Sequence, residues 1–137
     1  MKLHLQQDAK YNLINGYGQD GIVVRGQHYC HGLLVAADWL QSPWGPESAE
    51  GLGLEHFNEV LARKPDVMLL GTGKKQHFPL QLMVALRDAG IPVEVMDTSA
   101  ACRTYNILMA EDRMVLAALM LFAGAAAGSA TRKEVRP

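Results

Sequence analysis

A glycine-rich, basic segment, Gly71-Thr72-Gly73-Lys74-Lys75, has the composition best suited to hold an anion. Glycines let backbone N–H groups approach a phosphate or carboxylate, and lysines add positive charge. The segment lies between a predicted strand and a predicted helix, which is where open α/β sheets bind ligands. Its spacing matches neither the P-loop nor the dinucleotide-binding fingerprint. It therefore predicts either a small-ligand site or a tight strand-to-helix connection with solvated lysines.

A second polar segment also follows a predicted strand and opens a helix. It contains Asp97, Thr98, Cys102, Arg103 and, one turn further, Asn106. Cys102 is either a thiol whose pKa is lowered near a helix N-terminus or a small residue packed in the core. Arg103 and Asn106 are three residues apart and share a helix face, so they either line a polar cleft or stabilise the fold.

Other chemistry has little support. His28 and His31 would face opposite sides of a strand, which argues against a two-histidine metal site. No serine-hydrolase elbow is present, and we expect no metal and no cofactor. Cys30 and Cys102 are predicted to be free thiols. Whether the chain is an enzyme stays open, and the absence of a catalytic constellation favours a protein that is not one.

The elements that must position these residues follow from periodicity. Residues 22–25 and 28–31 predict an antiparallel β unit, extended or followed by 33–35. A helix from Leu54 to Leu61 precedes a strand at 66–71, a helix opening at Pro79, a strand at 91–97 and a helix over 100–109 capped by Thr98 or Ser99. This alternation predicts a parallel βαβ core. Residues 114–122 fit a helix or a buried strand. Trp39 and Trp44 flank a proline-rich loop and either contact a partner or cover one end of the core.

Composition bounds the class of protein. The chain has 137 residues, 49% of them hydrophobic, and a formal net charge of −1. That charge gives no electrostatic footprint for nucleic acid. The most apolar stretch, 114–123, is ten residues long and too short to span a membrane, which takes about 20 residues. The polar N-terminus predicts no secretory signal and a cytoplasmic protein. We expect one domain over 1–122 and a disordered tail over 123–137.

Several motifs together resemble the Mth-domain family, which includes the mitochondrial NADH:ubiquinone oxidoreductase complex assembly factor 3. They are Gly-Tyr-Gly at 16–18, Leu-Leu-Gly-Thr-Gly at 69–73, Gly-Ile-Pro-Val-Glu-Val-Met-Asp-Thr at 90–98 and Ala-Ala-x-Arg-Thr-Tyr-Asn-Ile-Leu at 100–108. The similarity covers roughly residues 4–122.

The resemblance implies a three-layer α/β domain with a mixed central sheet, an added N-terminal antiparallel β layer and residues 113–120 as a last strand antiparallel to the others. It implies an assembly or binding role through an unknown protein partner rather than catalysis. The lack of a mitochondrial presequence suggests a bacterial member. The family positions that would form a shared cleft are Gly71, Thr72, Gly73, Asp97, Thr98, Arg103 and Asn106, with Lys74 beside them.

Overall fold

A computed structural model describes residues 11–77 and 79–121 and contains two β-sheets. The strands in this part of the chain are β1 (Ile14–Gly18), β2 (Gly21–Val24), β3 (Gln27–Tyr29), β4 (Leu33–Ala36), β5 (Trp39–Gln41), β6 (Val67–Thr72), β7 (Val93–Met96) and β8 (Val115–Met120). The helices are α1 (Asn58–Arg63), α2 (Leu80–Asp88) and α3 (Thr98–Ala110), and short 3₁₀ turns cover Ala49–Gly51 and Leu54–Phe57. The predicted tail, 123–137, lies outside the described residues.

The central sheet has five strands in the order β5-β4-β8-β6-β7. β6 pairs in parallel with β7, which confirms the predicted βαβ core. β8 pairs antiparallel with β4 but parallel with β6. The prediction that the last strand runs antiparallel to the others is therefore wrong for its pairing with β6. The reason is the helical crossover through α3, because a crossover returns the chain to the starting end of the sheet and makes the next strand parallel.

The sheet forms the middle of three layers, as predicted for the fold class. Both β6 and β8 are buried along their whole lengths, which explains their continuous apolar sequences. Side chains of successive residues point to opposite faces, so Met68 and Leu70 join one core while Val67 and Leu69 join the other. The first core lies under α1 and α2, and the second lies under α3 and the N-terminal sheet.

The added N-terminal layer is the antiparallel sheet β1-β2-β3. Residues 33–35, which the sequence allowed as an extension of this unit, belong to β4 of the central sheet instead. Ile22 and Val24 point into the core beneath α3, so β2 contributes its apolar side chains to the layer next to it. That a single domain spans 1–122 stays a prediction.

Candidate functional site

The two strand-to-helix transitions lie side by side at the carboxyl ends of β6 and β7. We call residues 71–77 and 96–99 the rim. The Thr98 amide donates a hydrogen bond to the Gly73 carbonyl at 2.9 Å. The Gln76 side-chain amide donates to the Val95 carbonyl at 3.0 Å. Parallel pairing of β6 and β7 thus brings the two predicted segments together.

Thr98 joins the ends of three strands. Its hydroxyl is fully buried, accepts a hydrogen bond from the Gly73 amide at 2.8 Å and donates one to the Met120 carbonyl. Gly71 leaves room for this side chain, since a Cβ there would come within 3.0 Å of the Thr98 Cα. The space between Gly71 and Thr98 is therefore filled by protein atoms.

The Thr72 hydroxyl and the Asp97 carboxylate of the rim also have partners within the chain. The Thr72 hydroxyl donates to the Lys75 carbonyl at 2.7 Å and accepts from the His77 amide at 3.0 Å. Asp97 Oδ1 accepts from the Ala100 amide at 2.8 Å, so Asp97 is the N-cap of α3, in place of the predicted Thr98 or Ser99. A carboxylate at this position satisfies the helix end that would otherwise attract an external anion.

Arg103 and Asn106 lie away from that network and hold the N-terminal sheet. Asn106 Nδ2 donates to the Ile14 carbonyl at 2.7 Å, and its Oδ1 accepts from the Ile14 amide at 2.9 Å. Arg103 Nη1 donates to the Tyr17 hydroxyl at 3.3 Å on the protein surface, and this hydrogen bond raises the pKa of the Arg103 guanidinium further. The structure brings Gly71, Thr72, Gly73, Asp97 and Thr98 together, with Lys74 exposed beside them, whereas Asn106 faces β1.

Cys102 is a buried packing residue. It is fully shielded from solvent among the side chains beneath α3. Burial raises the pKa of the Cys102 thiol from 9.0 to about 12, and the nearby Arg103 charge opposes this only in part. A thiol held protonated in this way is a poor nucleophile. Of the two roles that the sequence allowed, the structure supports core packing.

Tyr105 performs a related structural task one turn later. Its hydroxyl donates to the Asn12 carbonyl at 2.7 Å, and burial raises the pKa of the Tyr105 phenol. The Asn12 side chain in turn donates to the carbonyls of Ala36 and Trp39. This chain of hydrogen bonds connects α3 through the segment before β1 to the far edge of the central sheet.

Trp44 belongs to the core. It is buried, its indole N–H donates to the His56 carbonyl at 2.7 Å, and its ring meets Phe57 edge-on at 5.5 Å. Trp39 is half-buried beneath the Arg63 guanidinium, which lies 4.0 Å from the ring centroid. For Trp44, covering the core is the role that the structure supports.

An exposed apolar pair on α2 was not among the site residues predicted from the sequence. Leu80 is 68% exposed and Val84 is 51% exposed. Spacing of i, i+4 and i+7 places Leu80, Val84 and Arg87 in one row along the helix. We call this row the α2 outer face. The signal was present in the sequence, because the i, i+4 spacing of Leu82 and Leu86 defines a core face and leaves Leu80 and Val84 on the opposite side of the helix.

Comparison with known proteins identifies the family. The model described as "Protein of unknown function (DUF498/DUF598)" matches residues 14–120. The chain belongs to this family. A solution structure from Bordetella pertussis described as a Mth938-like domain is 30% identical, with a TM-score of 0.69, and covers 80% of this chain and 85% of that one. The resemblance to the Mth-domain family is thereby confirmed.

Relatives in the DUF498/DUF598 family carry different names. An uncharacterised Rhodobacter capsulatus protein is 36% identical, covering 82% of this chain and 86% of its own. The "13 kDa major membrane protein" of Francisella tularensis is 34% identical, and the match covers 64% of this chain and 72% of that protein. The Xenopus tropicalis NADH dehydrogenase [ubiquinone] 1 alpha subcomplex assembly factor 3 is 28% identical, covering 85% of this chain and 65% of its own length. A Bordetella parapertussis protein of known crystal structure is 34% identical, with a TM-score of 0.74. The match covers 80% of this chain and 95% of that one.

Two further observations concern the described residues of this DUF498/DUF598 chain. Between residues 11 and 121, leaving out residue 78, no helix has the length and apolar character needed to cross a bilayer. Over the same residues, no group of three or more His, Cys, Asp or Glu side chains is arranged to hold a metal ion.

Proposed function

We propose that this chain is a non-enzymatic protein-binding module that acts in assembly, and that its partner docks on the α2 outer face. The observation that carries the proposal is the exposure of Leu80 and Val84, one turn apart on a helix whose other side is anchored in the core. The relative from Xenopus tropicalis that is named an assembly factor supports this class of function.

The apolar pair has the spacing of anchors in helix-to-groove recognition. Residues at i and i+4 point the same way, and a partner that covers both removes their side chains from water. Such burial contributes about 25 cal/mol per Å² of apolar surface. Leu82 and Leu86 fix α2 to the sheet, so the anchors are presented on a rigid support.

The charges next to this pair indicate the chemistry of the partner. Lys74 and Lys75 are exposed on the rim just before α2, and Arg87 is exposed at its far end, beside the single carboxylate of Asp88. Asp88 offsets the charge of Arg87, so the two lysines before α2 are what favour a partner whose apolar groove is bordered by acidic side chains. We therefore commit to a protein partner with an acidic margin.

The polar residues of the rim and α3 support a role other than catalysis. The hydroxyl of Thr98, the carboxylate of Asp97 and the amide of Asn106 all bond to the backbone of this chain. The Gly73 and Ala100 amides, two donors that a small anion at the rim could use, are already engaged by these bonds. Ligand binding at Gly71–Lys74 and Asp97–Arg103 stays a prediction, which measurements of the Tm with small anions test.

A photo-crosslinking residue at position 84 tests the proposal, with the same residue at 107 as the matched control. Ile107 is 59% exposed on α3, so the two positions present similar apolar surface from different layers. In cells that produce the chain, position 84 should give a discrete crosslinked protein, identified by mass spectrometry, and position 107 should not. The purified partner should lose at least about tenfold in affinity for Leu80→Ser/Val84→Ser, equivalent to 1.4 kcal/mol, and keep its affinity for Ile107→Ser.

Three outcomes would contradict the proposal. These are equal crosslinking at both positions, unchanged affinity of the double variant, or a crosslink at 84 solely to a second copy of the chain. Because Leu80 and Val84 are exposed, the free energy of unfolding of the double variant should lie within about 0.5 kcal/mol of the parent value. Loss of binding can then be separated from loss of folding.

We also propose that the protein works in the cytoplasm of a bacterium. The support is the pair of free thiols, Cys30 and Cys102, which suit a reducing compartment. Fractionation of cells should recover the chain with the soluble proteins. Stable recovery with membranes after a high-salt wash, as the name of the Francisella tularensis relative would suggest, contradicts this location.

A further inference from the structure

Cys30 and His28 form a pair at the end of β3 in the N-terminal sheet and belong to neither the rim nor α2. Cys30 Sγ lies 3.7 Å from His28 Nδ1, within reach of a thiol-to-imidazole hydrogen bond. Residues two apart on an extended chain point to the same side. His28 is on β3 and Cys30 follows its last residue, so the backbone itself aligns the two side chains.

The pair faces outward from the sheet. His28 is registered with Val23 of β2, whereas the neighbouring pair, Tyr29 and Ile22, points into the core beneath α3. Both members of the Cys30–His28 pair are half-buried, in contrast to Cys102, which is fully buried.

The neighbouring strand is shaped around the imidazole. Gly21 has a φ of +134°, and a Cβ at this position would collide with the Tyr29 carbonyl and come within 3.2 Å of His28 Nε2. A glycine here lets β2 approach the end of β3 closely and limits the space in which the ring can turn. The ring is thus held with Nδ1 beside the sulfur.

We propose that Cys30 is a modification site that forms a mixed disulfide with a low-molecular-weight disulfide, with His28 as the proton acceptor. The Cys30 thiol transfers its proton to the imidazole, and the sulfur attacks one sulfur of the reagent. The reagent's S–S bond breaks as the Cys30–sulfur bond forms. The leaving thiolate takes the proton from the imidazolium, so Cys30 is oxidised and half of the reagent is reduced to a thiol.

The second cysteine provides an internal comparison. Cys102 is fully buried and lies far from this pair in the sequence, beneath α3. A reagent in solution can reach it only when the fold opens. The two thiols of one chain should therefore differ sharply in reactivity, and this proposal is independent of the proposed protein-binding function.

Glutathione disulfide and the chromogenic disulfide DTNB are the probes. The full chain, incubated with glutathione disulfide and digested for peptide mapping, should carry one glutathionyl group on Cys30 and none on Cys102. With DTNB, His28→Gln should slow the reaction of Cys30 by about tenfold, less than the ~10²–10⁴-fold of enzymatic general bases because free thiolate also reacts. The matched control, His31→Gln, changes the exposed imidazole on the next bend and should leave the rate unchanged.

A second measurement removes the dependence on how His28→Gln folds. In Cys102→Ala, Cys30 should react faster with DTNB in the native protein than in guanidinium, where the pair is lost. Slower reaction in the native protein, modification of Cys102 before Cys30, or equal rates for His28→Gln and His31→Gln would each overturn the proposal.

Discussion

The helices α2 and α3 both follow parallel strands, yet they use their side chains in opposite ways. α3 buries Thr98, Cys102 and Tyr105, and its polar groups bond to strand ends and to the N-terminal sheet. α2 buries only Leu82 and Leu86 and turns apolar residues toward solvent. Polar residues beside strand ends thus stabilise this fold, and the exposed apolar residues of α2 form the surface that we propose for binding.

Replacing Thr98 should give the largest effect on stability. Thr98→Val keeps the volume but leaves the Gly73 amide and the Met120 carbonyl without their partner. Each unsatisfied buried group costs about 1–3 kcal/mol, so we expect a loss of about 3 kcal/mol in the free energy of unfolding, measured in urea. Thr104→Val, at a half-buried site of the same helix, is the control. Equal losses would show that α3 does not depend on its polar contacts.

Asn106 tests whether α3 alone holds β1. Asn106→Ala removes both hydrogen bonds to the Ile14 backbone, and we expect a loss of about 2 kcal/mol. Amide hydrogen exchange should accelerate in β1 and β2 more than in β6. Ile107→Ala, at the next and exposed position, should leave exchange unchanged. Uniform acceleration over the whole chain would contradict a local role.

Alkaline pH should destabilise the α3 layer through Cys102. Its folded pKa of about 12 is above the ordinary 9.0, so the unfolded thiol ionises first. The contribution of the protonated Cys102 thiol to the free energy of unfolding is complete below about pH 9. It is lost as pH rises toward 12, by at most about 1.4 kcal/mol per pH unit. Urea titrations between about pH 8 and pH 10 should show a shallower decline for Cys102→Ala than for the parent chain. Identical slopes would rule out this contribution.

The smallest effect is expected from small anions at the rim. Since Thr98 and Asp97 engage the Gly73 and Ala100 amides, we expect nucleotides, phosphosugars and carboxylates to leave the Tm unchanged. A true ligand at 100 times its Kd would add about 2.7 kcal/mol. A shift of that size that disappears in Lys74→Ala, but not in Lys64→Ala, would show that the rim binds ligands after all.

Much of the fold could be predicted because local rules governed it. Alternating strands and helices over 66–109 required a parallel unit, and the structure has one. The direction of β8 could not be settled from its own residues, since Val115–Met120 is apolar throughout and carries no period. Its pairing is set by distant strands, β4 and β6.

The site was harder to predict because residue type does not show which partner a side chain meets. Asn106 and Arg103 were correctly placed on one face of α3, but that face meets β1. Leu80 and Val84 look like core residues by type, but Leu82 and Leu86 occupy the core face of α2 and leave these two residues exposed. His28 and Cys30 could have been paired from their spacing on a strand.

β8 is the middle strand of the central sheet, and it is also the last of the described strands along the chain. β8 joins the β4–β5 pair to the β6–β7 pair. During synthesis, the two halves of the sheet therefore have no common neighbour until residues near 120 have left the ribosome. A chain stopped before Val115 would hold two incomplete fragments with open edges, so we expect it to be a target for chaperones and proteases rather than a smaller working domain.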